Sequence, residues 1–346
     1  MYYSYYRLKP EILSGQVEAA LQKDRKIEII IPTLNEERTL RTVINDIRSS
    51  ALSNLSILVI DGGSTDRTRD ICKTEKVKCV LQKTKGKGSA MREAVEHSAA
   101  DIVVFMDGDG TYAPSNLISI VEPLLNDEAD IVVGSRILGE RDKGAMTSLN
   151  SLGNKLFNRT INFALKTAVT DSLSGFRALY RKTFKDLVLF SESFEIEVEI
   201  TVEAIAKGYR VLEVPITYGL RNGTPTKLNP IKDGIRIGRT LLFILMNVNP
   251  LKFFGIISLC FFVAGLYPGT LVLYEKITTA HIQSMPSVVL SSLLFVTSAI
   301  SVVVGMVSEL VVRSRRRLEY LINRKFEAVA NCSSSQEVSR QFALIF

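Results

Sequence analysis

Between residues 26 and 215, short apolar runs alternate with longer amphipathic stretches, and this alternation limits the fold more than any other feature of the chain. The runs that read as buried strands are Ile27–Ile31, Ser56–Ile60, Val77–Leu81, Ile102–Met106 and Ile131–Val133. The stretches that read as helices are Glu36–Ser50, Thr65–Thr74, Gly88–Ala99 and Pro114–Asn126. Such alternation predicts a parallel, doubly wound α/β sheet, in which ligands bind beyond the carboxyl ends of the strands.

Polar clusters follow four of these runs, where such a sheet places its ligand. They are Pro32–Glu36, Asp61–Asp66, Asp107–Asp109 and Gly134–Arg136. Asp107 and Asp109 are spaced i, i+2 where the chain leaves extended geometry, so both carboxylates can face one side. Two such carboxylates can bind one hard divalent cation, which can in turn hold a diphosphate. Taken alone, the pattern also fits a polar turn that only ends a strand.

Charge and composition narrow the set of partners. The formal net charge of the 346-residue chain is +7, which favours anionic partners. Much of the excess lies beside apolar segments, at Lys227–Arg239 and Arg313–Arg317, which favours anionic lipid headgroups. No RNA-binding or helix-turn-helix signature is evident, so no nucleic-acid partner is expected. Two histidines, His97 and His281, give little material for a zinc site or a Ser-His-Asp triad.

Two long apolar segments, 253–274 and 286–312, lie near the C-terminal end. Each exceeds the roughly 20 residues that cross the hydrocarbon core of a bilayer, so they predict a hairpin of two transmembrane helices. Lys252 precedes the first segment and Arg313–Arg317 follows the second, which places the catalytic part and both ends of the chain in the cytoplasm. Glu309, near the cytoplasmic end, is expected to snorkel or to pair with an arginine.

These features divide the chain into five parts. They are an N-terminal arm at 1–25, a catalytic domain at 26–230, a juxtamembrane amphipathic helix at 231–250, the transmembrane hairpin at 251–312 and a basic cytosolic tail at 313–346. The juxtamembrane helix mixes Arg236 and Arg239 with apolar residues, which suits a helix that lies among lipid headgroups. The sequence leaves open whether the chain forms a homo-oligomer.

Two basic segments are candidates for binding a phosphorylated ligand. Lys83–Gly88 opens the third predicted helix, and a helix N-terminus with lysines favours anions. Arg221–Lys227 lies just after Glu213–Pro215 and just before the predicted juxtamembrane helix, where a loop can fold over a nucleotide and offset the charge of a leaving diphosphate. Each segment alone also fits a solvated surface loop.

Seven motifs in order resemble those of the family-2 glycosyltransferases, and within that family the polyprenyl-phosphate branch of dolichol-phosphate mannose and glucose synthases. The motifs are Pro32–Glu36, Asp61–Asp66, Gly86–Gly88, Asp107–Asp109, Gly134–Arg136, Asp171–Arg177 and Arg221–Lys227. The resemblance implies the GT-A (Rossmann-like) nucleotide-sugar fold. It also implies inverting transfer of a hexose from GDP-mannose, UDP-glucose or UDP-N-acetylglucosamine to a polyprenyl (dolichyl) monophosphate in the membrane.

The resemblance implies a donor site made from the first four motifs. Pro32, Leu34 and Glu36 would line the nucleoside pocket, and Asp61 would hydrogen-bond the base. The metal ligands, for Mg²⁺ or Mn²⁺, would be Asp107, Asp109 and Thr111. Position 34 is leucine where relatives often have tyrosine, position 62 is glycine where many have aspartate, and Thr111 replaces a glutamine.

Basic residues complete the implied site. Arg136 would face the phosphate of the acceptor lipid, and Arg221 and Lys227 the leaving diphosphate; with Asp109, the two arginines form the expected catalytic set. Further substrate contacts are expected from Lys87, Asp107, Gly108, Ser174 and Arg177. A second acceptor-phosphate ligand is expected between 143 and 155, and the candidates are Lys143, Asn150, Asn154 and Lys155.

The residue types favour a phosphate as the acceptor. A sugar hydroxyl needs a positioned base, whereas a phosphate monoester, with a second pKa of about 6, is already mostly ionised near neutral pH. Glu195, Glu197 and Glu199 remain as candidate bases, but their spacing on a predicted helix points them in different directions. Glu197 or Glu199 would instead anchor Arg177 or the acceptor loop. The alternative is a family-2 enzyme that acts on a hydroxyl of a glycan or lipid.

Overall fold

A computed structural model of the chain describes residues 25–50, 52, 54–142, 144–146, 148–220, 239–240, 242, 246, 249–279, 281 and 284–343. Its strands are β1 (Ile27–Thr33), β2 (Leu55–Asp61), β3 (Lys78–Leu81), β4 (Ile102–Phe105), β5 (Ile131–Ser135), β6 (Arg177–Tyr180) and β7 (Val211–Pro215). Its helices are α1 (Leu40–Arg48), α2 (Thr68–Thr74), α3 (Lys87–His97), α4 (Leu117–Leu125), α5 (Ser148–Leu165), α6 (Arg181–Asp186), α7 (Ile196–Lys207), α8 (Pro250–Thr279) and α9 (Met285–Ala343). The chain divides into two compact units, Met1–Ile244 and Leu245–Phe346.

The first unit contains a seven-stranded mixed sheet with the strand order β3-β2-β1-β4-β6-β5-β7. The strands pair in parallel except β6, which runs antiparallel to both β4 and β5. All five predicted strands are present, and their carboxyl ends share one edge of the sheet. The expectation of a wholly parallel sheet is wrong at β6, because this short strand inserts between β4 and β5 in the opposite direction.

Apolar layers cover both faces of the sheet. Along β1, Ile29 and Ile31 pack in one cluster with Leu40 of α1, whereas Ile30 packs in the other with Met91 of α3. Successive side chains of a strand point to opposite faces, so a central strand covered on both sides needs an unbroken apolar run. This requirement explains why β1 and β4 were recognisable in the sequence.

Helix α1 begins at Leu40, four residues later than predicted, because Glu36–Thr39 forms a turn that contacts the segment after β4. The amide of Thr39 donates to the carbonyl of Glu36 at 3.2 Å, and its hydroxyl donates to the carbonyl of Gly108 at 2.7 Å. The turn before α1 is thereby tied to the turn after β4. These contacts place the first polar cluster beside the aspartate pair.

The second unit is a hairpin of α8 and α9, and Pro250–Thr279 and Met285–Arg315 are long and apolar enough to cross a membrane. The hydroxyls of Ser258 and Ser298 lie 2.9 Å apart between the two helices. Glu309 pairs with Arg313 at 2.9 Å, which confirms the predicted arginine partner. The N-terminal arm, except Arg25, and most of the predicted juxtamembrane helix lie outside the described residues.

Candidate active site

The loops that follow β1 and β2 are joined by hydrogen bonds. Asn35 adopts a left-handed conformation with φ of 59° and receives the amide of Thr65 on its side-chain oxygen at 2.8 Å. Its own amide donates to the Ser64 hydroxyl at 2.9 Å, and the Glu36 amide donates to Thr68 at 3.0 Å. Asparagine tolerates this backbone conformation better than most residues, and its side chain replaces a missing backbone partner. These hydrogen bonds therefore hold the two loops in one fixed arrangement.

Asp61 and Leu34 lie at the start of these two loops but differ in exposure. The Asp61 carboxylate is fully buried; it accepts the amide and hydroxyl of Ser64 and lies 3.7 Å from Arg69. Leu34 is 58% exposed, which is unusual for a leucine and leaves an apolar surface at the loop. Pro32 is half-buried beside it. Asp61 thus organises its own loop in this structure, and its contact with a nucleobase stays a prediction.

The turn after β4 carries the aspartate pair. Asp109 accepts both the amide of Thr111, at 3.1 Å, and its hydroxyl, at 2.7 Å. Gly108 is buried, and a Cβ there would lie 3.0 Å from the Thr33 methyl group and 3.2 Å from Ile31, so a larger residue would displace the turn. The turn is held by packing on one side and by Thr111 on the other.

The donor set at this turn fits a hard divalent cation. Asp107 and Asp109 are both half-buried and offer carboxylate oxygens, the ligands that Mg²⁺ and Mn²⁺ prefer. The described residues contain no group of three or more His, Cys, Asp or Glu side chains that would form an all-protein cage. A cation with two carboxylates retains coordination positions for a diphosphate. Thr111, expected as a third ligand, is buried with its hydroxyl on Asp109, so it orients that carboxylate.

Lys87 lies between two carboxylates in this region. Its ammonium nitrogen is 2.5 Å from Asp107 Oδ1 and 2.6 Å from Glu197 Oε1; the Lys87 and Glu197 side chains are largely buried, and that of Asp107 is half-buried. Burial acts to lower the pKa of Lys87, but the charges of Asp107 and Glu197 outweigh it and raise the pKa above its ordinary value. Lys87 therefore stays protonated, and a fixed positive charge lies beside Asp107.

At the start of α3, two backbone amides are already paired within the protein. The amides of Gly88 and Ser89 donate to the carbonyl of Glu192 at 2.8 and 3.3 Å. A Cβ at Gly86 would lie 2.2 Å from the same carbonyl oxygen, and one at Gly88 2.2 Å from that of Ser191. The glycines of this motif thus allow the two backbone segments to approach each other closely.

Arg136, at the end of β5, is held by Asp171. Its Nε and Nη2 atoms each lie 2.8 Å from an oxygen of this fully buried carboxylate, and its guanidinium lies over the Tyr218 ring. Burial acts to lower the pKa of Arg136, but Tyr112, Asp171 and Tyr218 raise it well above its ordinary value. The guanidinium stays charged and has one orientation.

Among the candidates for a second acceptor-phosphate ligand, the structure separates Asn154 from Lys155. The Asn154 amide is buried and donates to Asp171 at 2.8 Å, so it helps to hold the carboxylate that binds Arg136. Lys155 is exposed. Lys143 lies outside the described residues, and the side chain of Asn150 is likewise outside the described part of the chain.

Arg177 and Ser174, which are expected to bind substrate, both lie in the interior of the described structure. Arg177 is fully buried and donates to the carbonyls of Ser172 and Ser174 and, at 2.7 Å, of Glu197. The Ser174 hydroxyl is buried without a hydrogen-bond partner among the described residues. The Arg177 guanidinium therefore fastens the 171–177 segment to the start of α7.

Arg221 and Lys227 lie outside the described residues, but the chain that leads to them is described. The Gly219 amide donates to the Thr111 carbonyl at 2.8 Å, and the Leu220 amide to Asp142 at 3.2 Å. The described chain therefore passes beside the turn that carries Asp109 just before residue 221.

A mixed sheet with these acidic and basic groups at its carboxyl edge defines a GT-A-like nucleotide-sugar domain. The chain belongs to glycosyl transferase family 2, whose family model matches residues 28–188. It is 38% identical to glycosyltransferase AglJ of Haloferax volcanii over 83% of this chain and 94% of the relative. It is 33% identical to the dolichyl-phosphate hexose transferase of the same organism, over 62% of this chain and 92% of the relative.

A solved structure shares the fold of the first unit. It is glucosyl-3-phosphoglycerate synthase from Mycobacterium tuberculosis, in complex with Mn²⁺, uridine-diphosphate-glucose and phosphoglyceric acid. The match has a TM-score of 0.56 and 25% identity, and covers 69% of this chain and 85% of that chain. The protein is thus a glycosyltransferase with a GT-A-like domain and a hairpin of two apolar helices.

Proposed function

We propose that this protein is a membrane-bound, inverting glycosyltransferase that moves a hexose from a nucleotide-diphosphate sugar to a polyprenyl monophosphate such as dolichyl phosphate. The donor would be GDP-mannose, UDP-glucose or UDP-N-acetylglucosamine. The product would be a polyprenyl-phosphate sugar, which serves as a donor for later glycosylation. The dolichyl-phosphate hexose transferase named above supports this acceptor class.

The observation that carries the proposal is that the acidic groups of the site already hold partners. Lys87 contacts both Asp107 and Glu197, while Arg136 contacts Asp171. A hydroxyl acceptor needs a carboxylate or histidine to remove its proton during attack. An ionised phosphate needs no base, but it needs cations because it must approach a second anion. The arrangement meets the second requirement better than the first.

In this reaction an oxygen of the lipid phosphate forms a bond to the anomeric carbon as the bond from that carbon to the nucleoside diphosphate breaks. Arg136 would hold the acceptor phosphate, and Arg221 and Lys227 would offset the charge of the departing diphosphate. Asp107 and Asp109 would hold Mg²⁺ or Mn²⁺, which when bound neutralises charge on the diphosphate. A single displacement inverts the anomeric centre, so an α-linked donor gives a β-linked product.

The hairpin provides the membrane part of the proposal. A polyprenyl acceptor resides in the bilayer, and two apolar helices keep a catalytic domain at its surface. The basic segment at Arg313–Arg317 favours a cytoplasmic position for both termini and the catalytic domain, beside anionic headgroups.

The test is a transfer assay with the full-length protein in detergent or liposomes. The three nucleotide sugars are each offered with dolichyl phosphate, undecaprenyl phosphate and, as matched control, unphosphorylated dolichol. We expect product only with the phosphates, and we expect mild acid to release its sugar, because a glycosyl phosphodiester is more labile than a glycoside. An acid-stable product, or transfer to dolichol, would identify the hydroxyl-acceptor alternative instead.

A further inference from the structure

Glu197 is a buried carboxylate to which the proposed reaction assigns no direct contact with either substrate. It lies in the first turn of α7, and 110 residues separate it from Lys87 in the chain. Its Oε1 atom is 2.6 Å from the Lys87 ammonium, which is 2.5 Å from Asp107 on its other side. One lysine is thus shared by two carboxylates, of which only Asp107 belongs to the proposed cation site.

The surroundings hold this arrangement in one geometry. A Cβ added at Gly175 would lie 2.8 Å from Asp107 Oδ2, 2.9 Å from the Lys87 nitrogen and 3.0 Å from Glu197 Oε1. The centroid of the Phe194 ring lies 5.5 Å from the Lys87 nitrogen. Lys87 has little room to move away from either carboxylate, so its ammonium group is shared between the two.

We propose that Glu197 is a positioning residue that sets the affinity of Asp107 for the divalent cation by sharing the charge of Lys87. With Glu197 present, Lys87 neutralises only part of the charge on Asp107. Without it, the whole ammonium charge falls on Asp107, and an incoming cation must compete with a lysine for the same carboxylate. The inference rests on the proposed function only in taking Asp107 and Asp109 as cation ligands, and the acceptor does not enter it.

The role is separable from a structural one because the backbone of Glu197 has its own contacts. Its carbonyl accepts Arg177 Nη1 at 2.7 Å and the Thr201 hydroxyl at 3.1 Å. Glu197→Gln keeps these contacts and the side-chain volume, and removes only the charge. Lys87→Gln removes the shared ammonium and has the opposite expected effect, because Asp107 then has no competing lysine.

The experiment is a titration of the full-length protein with Mn²⁺ alone, followed by electron paramagnetic resonance of the free ion. We expect Glu197→Gln to weaken Mn²⁺ binding by about tenfold, a typical coupling for charges in direct contact. We expect Lys87→Gln to bind Mn²⁺ at least as tightly as wild type. The matched control is Glu203→Gln, which lies on the same helix 4.0 Å from Lys207, and we expect no change.

The double variant Lys87→Gln/Glu197→Gln identifies the route of the effect. If Glu197 acts through Lys87, its replacement in the Lys87→Gln background costs far less than in the wild-type background. An equal cost in both backgrounds, or an unchanged affinity for Glu197→Gln, would overturn the inference. Circular dichroism checks folding, and Glu197→Asp, which keeps the charge at a longer distance, is expected to give an intermediate loss.

Wild-type protein that binds no Mn²⁺ would overturn the inference together with the cation part of the proposed function. Failure of transfer to polyprenyl phosphate, by contrast, would contradict the proposed acceptor. It would not affect the inference about Glu197, which depends only on Mn²⁺ binding.

Discussion

Arg136 and Asp171 form a two-point ion pair, in which Nε and Nη2 each lie 2.8 Å from a carboxylate oxygen and the Arg136 amide lies 2.9 Å from the same group. The pair fixes the plane of the guanidinium, because both ends of the fork are held. Two of the five N–H donors of the guanidinium serve the pair, which leaves three outside it. A charged group with a fixed plane is suited to bind a phosphate that must be placed for in-line attack.

Replacing Arg136 with lysine tests this role. Lysine keeps the charge but cannot make both contacts with Asp171, so we expect the KM for polyprenyl phosphate to rise by about 10- to 100-fold, while nucleotide-sugar affinity changes little. Steady-state kinetics with both substrates varied, and calorimetry with the nucleotide sugar alone, measure the two effects. Equal losses for donor and acceptor would show that Arg136 is not an acceptor residue.

The control for this variant is Arg210→Lys. Arg210 makes a similar two-point pair with Asp130, at 3.1 and 3.0 Å, but these residues precede β7 and β5 and lie at the amino ends of the strands. We expect its replacement to leave both kinetic constants unchanged.

Gly175→Ala should disturb the site without preventing folding. The added methyl group would lie within 3.0 Å of Asp107, Lys87 and Glu197, so these side chains must shift. We expect activity to fall by about tenfold or more, since a small misplacement of groups that bind the substrate has large effects on rate. Initial rates at saturating substrates measure this, and wild-type rates would contradict it.

The comparison for Gly175→Ala is Gly208→Ala, at the C-terminal end of α7. Gly208 has φ of 84°, and a Cβ there meets nothing within 4 Å. Alanine at such a position costs about 1 kcal/mol of stability through backbone strain alone. We therefore expect a lower Tm with an unchanged rate.

Helix α5 supports Asp171 through asparagines spaced four residues apart. Asn158 accepts the amide and hydroxyl of Ser172, at 3.0 and 2.7 Å, and donates to the carbonyl of Thr170 and to Asn154. Asn158→Ala leaves these buried groups unpaired, which costs about 1–3 kcal/mol of stability. We expect a lower Tm and, because the segment positions Asp171, a higher KM for the lipid phosphate.

The matched variant is Asn162→Ala. Asn162 contacts Thr167 and Val169, farther from Asp171, through three hydrogen bonds of 2.8–2.9 Å. We expect a similar loss of Tm with a smaller rise in KM. If the two variants raise KM equally, α5 acts on overall stability and not on the position of Asp171.

Glu213 makes part of the stability depend on pH. Burial raises its pKa above the ordinary value, although hydrogen bonds from Asp171 and Thr170 act to lower it. The folded protein therefore holds the Glu213 proton more tightly than the unfolded chain. Its contribution to stability is complete below the ordinary pKa of about 4.3 and declines as the pH rises through the higher folded value.

Glu213→Gln should remove this dependence. We measure Tm by circular dichroism from acidic to neutral pH. The Tm of the wild type minus the Tm of Glu213→Gln should decrease as the pH rises. An increase in this Tm difference with rising pH would contradict the raised pKa of Glu213.

The sequence was most informative where burial is two-sided. Ile29–Ile31 of β1 and Ile102–Phe105 of β4 are unbroken apolar runs because helices cover both faces of their sheet, so both strands could be predicted. Strand β6 has four residues and starts with the charged Arg177, and β7 contains Glu213. Neither has a pattern that distinguishes it from a loop. Helix α5 was also missed, because asparagines occupy part of its buried face.

The edge of the sheet that carries Asp107, Asp109 and Arg136 could be predicted because residues after parallel strands meet there. The partners of these residues could not. The contact between Lys87 and Glu197 joins points 110 residues apart, and no local pattern records it. Arg177 was expected to bind substrate because the resemblance includes the Asp171–Arg177 motif, and the structure places its guanidinium among backbone carbonyls in the interior.

The most direct measurement of the central claim is the fate of the acceptor oxygens. Polyprenyl phosphate labelled with ¹⁸O at its free phosphate oxygens is incubated with the full-length protein and a nucleotide sugar, and the products are analysed by mass spectrometry and ³¹P NMR. The account predicts a glycosyl phosphodiester that retains every labelled oxygen, with one nucleoside diphosphate released for each sugar transferred. Release of nucleoside monophosphate, or sugar attached to a lipid without phosphate, would contradict it.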